Sequence, residues 1–238
     1  MKPSISAEHL RTTLRSHANP QNAKLLQGFF KTGPGEYGEG DIFIGVKVPQ
    51  TRSVAKAFHV APMKEVLGLL KSKIHEERLL ALILLVNQYA HGDQKTKNAI
   101  FNAYLRNTRY INNWDLVDLS APQIIGDHLL TRDRSILLTL ARSRNIWKRR
   151  IGVLATFRFI KEKDFPDSLA IAEMLLNDGH DLIHKAVGWM LREIGKREVA
   201  VLETFLLRHY KTMPRTMLRY AIERFPENKR QGYLKGSI

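Results

Sequence analysis

The sequence predicts an all-α protein whose helix pairs stack side by side as a HEAT-like solenoid, an α–α superhelix. Apolar residues recur with helical periodicity along nearly the whole chain, and strand-like alternation shows only at Ile42–Val48. Helix pairs recur at roughly 35–45 residues, the range of HEAT and armadillo repeats, although exact self-similarity is absent. Trp114, Trp147 and Trp189 lie 33 and 42 residues apart, as a ridge of successive pairs would place them. Chance would also produce such a spacing from three points.

Taken in order, Asn19-Pro20 opens a helix in the N-cap/N1 manner that runs to about Lys31. A glycine-rich loop, Gly33–Gly45, separates the second helix from the third and reads as a surface excursion. Its Gly33-Pro34-Gly35-Glu36-Tyr37-Gly38 matches GxGxxG formally. It follows a helix rather than a strand, however, and Glu36 and Glu39 would repel a phosphate. Pro49, Pro62, Pro166 and Pro214 start further helices. The segment 75–91 is apolar almost all round in its middle and should be deeply buried. Further helices are expected near 94–107, 114–119, 122–130, 134–143, 145–160, 166–177, 180–196, 197–209 and 213–225. Short connections suit antiparallel pairs. No Ser-, Gly- or Pro-rich linker divides the chain, so a single domain over 1–238 is expected.

Composition narrows the function. The chain has 238 residues and a formal charge of +15, with 44% hydrophobic content, so it is a folded protein suited to a polyanionic partner. Cysteine is absent, which excludes disulfides, thiolate metal sites and cysteine nucleophiles. No apolar signal segment is visible at the N-terminus, and the longest apolar run, Leu79–Val86, is eight residues, far short of a membrane span. A cytoplasmic protein without a membrane partner is expected.

Three segments could carry chemistry. Between Arg134 and Lys161 there is no acidic residue, and Arg142, Arg144, Lys148, Arg149, Arg150 and Arg158 lie within. Asn145 is placed to cap a helix on which Arg150 interrupts the stripe Ile146, Val153, Phe157, Ile160, so Arg150 either snorkels to the rim or points into a site. The segment as a whole reads equally as a solvated basic face or, with Trp147 beside it, as a DNA contact. In Asn112-Asn113-Trp114-Asp115-Leu116-Val117-Asp118, Trp114 and Asp118 share a helix face at i,i+4. That pair is either a packed Trp with an early-helix charge or an indole beside a working carboxylate. In the third segment Ile183, Val187, Met190, Leu191 and Ile194 define a buried face, and Trp189 lies roughly 120° from its centre. Flanked by Lys185 and Arg192, it is either core-edge packing or a contact surface for a sugar or base. His180 and His184 mimic part of HExxH, but Asp181 replaces the base and no third ligand is apparent, so no metal and no cofactor is expected.

NNWDLVD, NIWKRRIGV and HKAVGWMLREIGK, in this order, resemble the AlkD-type DNA alkylation-repair glycosylases, as do Phe43–Arg52 and Asn19-Pro20. The resemblance spans about residues 5–225. It implies a curved HEAT-like solenoid with a basic concave face that holds duplex DNA carrying alkylated bases, and hydrolysis of the N-glycosidic bond of cationic N3- or N7-alkylpurines. It places the catalytic Asp at Asp118, the sugar-facing tryptophans at Trp114 and Trp189, and a site arginine at Arg150. DNA contacts would come from Arg192, Lys148, Arg149, Lys185, Trp147 and Lys47. The chain departs from the family pattern where Asn113, rather than a second Trp, precedes Trp114, where Lys47 replaces a Gln, and in its longer glycine-rich loop. The fold needs no partner, so a monomer is expected. Other readings are a non-catalytic scaffold for DNA or structured RNA, and a protein-interaction solenoid whose charge is incidental.

Overall fold

The computed structural model describes residues 5–238. The described residues are mainly helical. Among the described residues no strand forms, and Ile42 shares only an isolated parallel bridge with Ile74. Two compact units divide it, Met1–Ser120 and Ala121–Ile238. The division falls inside a continuous helix, so no linker composition marks it.

The first unit contains α1 (Ala7–Arg15), α2 (Pro20–Phe29), α3 (Val48–Ala57), α4 (Met63–Leu70), α5 (His75–His91), α6 (Gln94–Arg106) and α7 (Trp114–Ala121). Its core is α5, which packs against α3, α4 and α6. Leu80, Leu82, Leu84 and Leu85 are fully buried, as the apolar run demands. Side-chain caps start several helices: Asn19 Oδ1 accepts from Asn22 N–H at 2.9 Å, and Asp93 Oδ1 accepts from Thr96 N–H at 2.8 Å. Helix α2 buries none of its residues.

The second unit opens with a π-helical turn, Pro122–Gly126, and the short α8 (Asp127–Leu129). There follow α9 (Ser135–Ala141), α10 (Ile146–Ala155), α11 (Phe157–Lys161), α12 (Pro166–Met174), α13 (Asp181–Gly195), α14 (Val199–His209), α15 (Arg215–Ala221) and α16 (Glu227–Lys235). Within this unit α10 packs on α13 and α13 on α15, the succession expected of stacked helix pairs. The single helix expected at 145–160 is broken at Thr156, whose Oγ1 donates to the Val153 carbonyl at 2.7 Å. Helix α16 lies beyond the last helix the periodicity indicates.

The α13–α15 contact depends on Gly188. A Cβ there would lie 2.5 Å from the Met217 carbonyl oxygen and 2.6 Å from the Tyr220 Cβ. Gly188→Ala is therefore expected to cost about 1–3 kcal/mol through overpacking, read as a lower urea midpoint with an unchanged m-value.

Candidate functional site

The site in the first unit is built from the first turn of α5. Four consecutive ionisable residues there, His75, Glu76, Glu77 and Arg78, are all buried. Such burial is tolerable only if each finds partners. Glu77 binds Arg11 Nε at 3.3 Å and Arg15 Nη2 at 2.6 Å, both on α1. The carboxylate of Glu76 accepts backbone N–H bonds from Ile44 (3.1 Å), Gly45 (2.8 Å) and Val46 (3.3 Å). Arg78 Nη2 donates to Asp41 at 2.6 Å, and Nη1 to the carbonyls of Ser72 and Lys73 at 3.1 and 3.3 Å. His75 lies between two carboxylates, with Nδ1 3.0 Å from Asp41 and Nε2 2.8 Å from Asp115.

These bonds revise the expected surface excursion at Gly33–Gly45. Its tip is mainly exposed, but Asp41, Phe43 and Gly45 are buried, because the Glu76 carboxylate needs donors and the loop backbone supplies them. Gly45 adopts φ 84°, and a Cβ there would meet the Asn19 carbonyl oxygen at 2.0 Å. At the tip, Glu36 and Glu39 accept from the Gly33 and Gly35 N–H groups, each at 2.9 Å. The loop's own carboxylates thus occupy amides that a GxGxxG phosphate site would require.

Burial alone would raise the Asp41 carboxyl. The His75 hydrogen bond, the charges of Arg78 and His75, and Asn113 outweigh it and hold the group below the usual carboxylate range. Burial would likewise depress His75. The charge and hydrogen bond of Asp115, then the hydrogen bond of Asp41, prevail over burial and Arg78 and raise it above ordinary imidazole.

Helix α7 carries the candidate catalytic pair. Leu116 and Val117 are fully buried while Trp114 and Asp118 are half-buried, so the i,i+4 pair shares a partly open face. Asn113 Oδ1 accepts from the Trp114 N–H at 2.8 Å, and its Nδ2 donates to Asp41 at 3.2 Å. The Trp114 ring stacks on Phe30 (5.2 Å, 18°), Phe30 on Phe43 (4.9 Å, 18°), and Phe43 on His75 (4.4 Å, 23°). Exposed Phe29 meets Trp114 edge-on at 5.9 Å. Burial pushes the Tyr104 phenol up, and the negative charge of Asp118 adds to that shift. Lys47 is exposed just before α3, its backbone N–H bonded to Gln50 Oε1 at 3.0 Å.

In the second unit, Trp189 is half-buried beside fully buried Ile183, Leu191 and Ile194, matching its off-centre place on the helix. It contacts Phe157 at 5.9 Å. Arg150 is 5% exposed and donates to the Leu182 carbonyl at 2.6 Å. Trp147 is 6% exposed and belongs to the core, which leaves it little surface for DNA. Asn145 caps α10, accepting from the Trp147 and Lys148 N–H groups at 2.9 and 3.1 Å.

The acid-free basic segment is paired with acids from elsewhere in the unit. Arg149 Nε lies 2.7 Å from Asp178, Arg158 Nε 3.0 Å from Asp127, and Arg134 Nη1 2.7 and 2.8 Å from Asp164 and Asp167. Arg192 pairs with Glu223, and Lys185 with Asp181 at 2.7 Å. Arg142 and Arg144 are exposed, and Lys148 is half-buried. His180 Nδ1 accepts from the Leu182 N–H at 3.1 Å, so it caps α13, and His184 bonds the Asp178 carbonyl. Among the described residues no group of three or more His, Asp or Glu is placed to hold a metal ion. No helix among them is long and apolar enough to cross a membrane.

The sequence profile of the DNA alkylation repair enzyme family matches residues 10–225. The chain belongs to that family. Among solved structures it is similar to one titled "Predicted DNA alkylation repair enzyme from Enterococcus faecalis", with a TM-score of 0.71 and 16% identity over 89% of this chain and 98% of that one. That likeness is one of fold, and it agrees with a helical-repeat class. No curated protein matches the chain. For a DNA alkylation repair enzyme, the polar network of Asp41, His75, Arg78 and Asp115 at the foot of α7 is the part that sequence reasoning missed. Its one visible signal is the run of four ionisable residues directly before the apolar octet of α5.

Proposed function

We propose that this DNA alkylation repair enzyme is a glycosylase that hydrolyses the N-glycosidic bond of cationic N3- or N7-alkylpurines in duplex DNA. The observation that carries the reading is Trp114 and Asp118 on the partly open face of α7, in a chain of that family. A purine bearing a formal positive charge already leaves readily, so no general acid is needed. What remains is oxocarbenium character on the deoxyribose. The Asp118 carboxylate stabilises that charge and orients a water for attack. Ordinary glycosidases use two carboxylates because their leaving groups are poorer. The indole faces of Trp114 and Trp189 favour positive charge developing beside them. Arg150 is proposed as the site cation of the second unit; 5% exposed and oriented by Leu182, it acts on a backbone phosphate through its field rather than by direct contact. Lys148, Arg149, Lys185, Arg192, Trp147 and Lys47 are proposed as DNA contacts. Lys47 and Lys148 are the strongest of these, because Arg149, Arg192 and Lys185 already share their charge with acids and Trp147 is buried. We further propose that residues 1–238 act as one functional domain, as a cytoplasmic monomer.

The test is incubation with duplex DNA carrying 7-methylguanine, reading out free base. Release by the wild type supports the glycosylase, and binding without release at any salt concentration favours a scaffold. Binding itself should weaken linearly in log Kd against log salt, by about 0.9 per phosphate neutralised, in an anisotropy titration. A salt-independent Kd would remove DNA backbone recognition from the proposal.

A further inference from the structure

We propose that His75 is a positioning residue for α7, setting both the rotation of the helix that carries Asp118 and the plane of Trp114. The proposal rests on the glycosylase reading above. One imidazole reaches α7 by two separate routes. Through its edge, Nε2 holds Asp115 at 2.8 Å on the first turn of α7. Through its face it supports Phe43, which supports Phe30, which supports Trp114, with successive centroid separations of 4.4, 4.9 and 5.2 Å. Asp115 and Asp118 are i,i+3 neighbours, so fixing Asp115 fixes the direction in which Asp118 leaves the helix. The other edge of the ring is anchored at 3.0 Å to Asp41, which also holds Arg78 and Asn113. The glycine-rich loop thereby becomes part of the support for α7.

The charged groups facing the ring are Asp41 from the loop, Asp115 from α7 and Arg78 from its own helix; Glu76 is turned to the amides of residues 44–46. A neutral imidazole donates from only one nitrogen, so one of the two carboxylates would then face a lone pair. The imidazolium donates to both. Deprotonation therefore breaks one of the two hydrogen bonds in the Asp41–His75–Asp115 relay from the loop to α7. The raised affinity of His75 for its proton agrees with this geometry. A cavity of about 380 Å³ borders both His75 and Asp115.

The sign follows. A group whose folded pKa is raised stabilises the fold fully below its unfolded pKa and loses that contribution as pH rises through the folded value. Excision by the wild type should accordingly show an alkaline limb in kcat. Asp115→Asn removes the main influence raising His75, so the limb should move to lower pH with KM little changed. His75→Gln offers one donor group where the imidazolium offers two, and should abolish the limb and lower kcat on the order of 10- to 100-fold, the scale of a misplaced reacting group. Wild-type kcat in His75→Gln, or an unmoved limb in Asp115→Asn, overturns the proposal. A readout independent of activity separates it from the function. The Trp114 indole N–H resonance should titrate with His75 in the full-length wild type, at a lower midpoint in Asp115→Asn, and not at all in His75→Gln. If the wild type releases no base, the glycosylase reading falls, and this resonance alone decides the coupling. An indole signal that ignores His75 overturns it.

Discussion

Asp118→Asn is expected to bind duplex DNA carrying 7-methylguanine as tightly as the wild type and to release the base roughly 10²–10³-fold more slowly, the range found when a single preorganised electrostatic group is removed from a reacting centre. Asparagine keeps the shape of the side chain and its place on α7, so the loss isolates charge. The half-burial of Asp118 matters here, because a carboxylate partly removed from solvent acts on a nearby cation through a lower effective dielectric than one in bulk water. Single-turnover release of free base, set beside an anisotropy measurement of binding, separates the two steps. Unchanged release with intact binding would remove Asp118 from the chemistry.

The largest effect on stability is expected at Glu76. Glu76→Ala strands the N–H groups of Ile44, Gly45 and Val46 in the interior, all of which point at its carboxylate. Three amide donors left without their acceptor place the cost at about 3–5 kcal/mol. For a chain of this length that is a fall in Tm of roughly 10 °C. Glu76→Gln should lose less, since its amide oxygen still accepts, though its amino group now faces donors. The order Ala worse than Gln worse than wild type, by differential scanning calorimetry, checks the account. A neutral Glu76→Ala would mean that water satisfies the freed amides.

The helices were legible where their physics is local. The segment 75–91 ends where the apolar pattern stops at His91 and Gly92, and Asn19, Asp93 and Asn145 cap the helices their sequences announce. The off-centre Trp189 and the shared face of Trp114 and Asp118 follow from helical spacing alone. What escaped is long-range. The acid-free run from Arg134 to Lys161 looks like bare charge in sequence, yet Arg134, Arg149 and Arg158 meet acids about thirty residues away in the chain, a distance no periodicity encodes. Burial of His75–Arg78 contradicts the usual reading of four ionisable residues as solvent-facing. The support for Trp114 was hidden for a similar reason: Phe30 and Phe43 flank the glycine-rich tip, where composition suggests a loose loop rather than a wall of rings.

The two arginines of α1 that meet Glu77 give that helix a specific duty. Glu77 sits beneath a helix more than sixty residues upstream, and Arg11 and Arg15 are the cations that compensate it. Replacing both arginines would leave that buried carboxylate without the cations that face it at the foot of the central helix. Helix α1 therefore acts as a latch on the interior, and the loss of its two cations would be felt at the level of the whole fold.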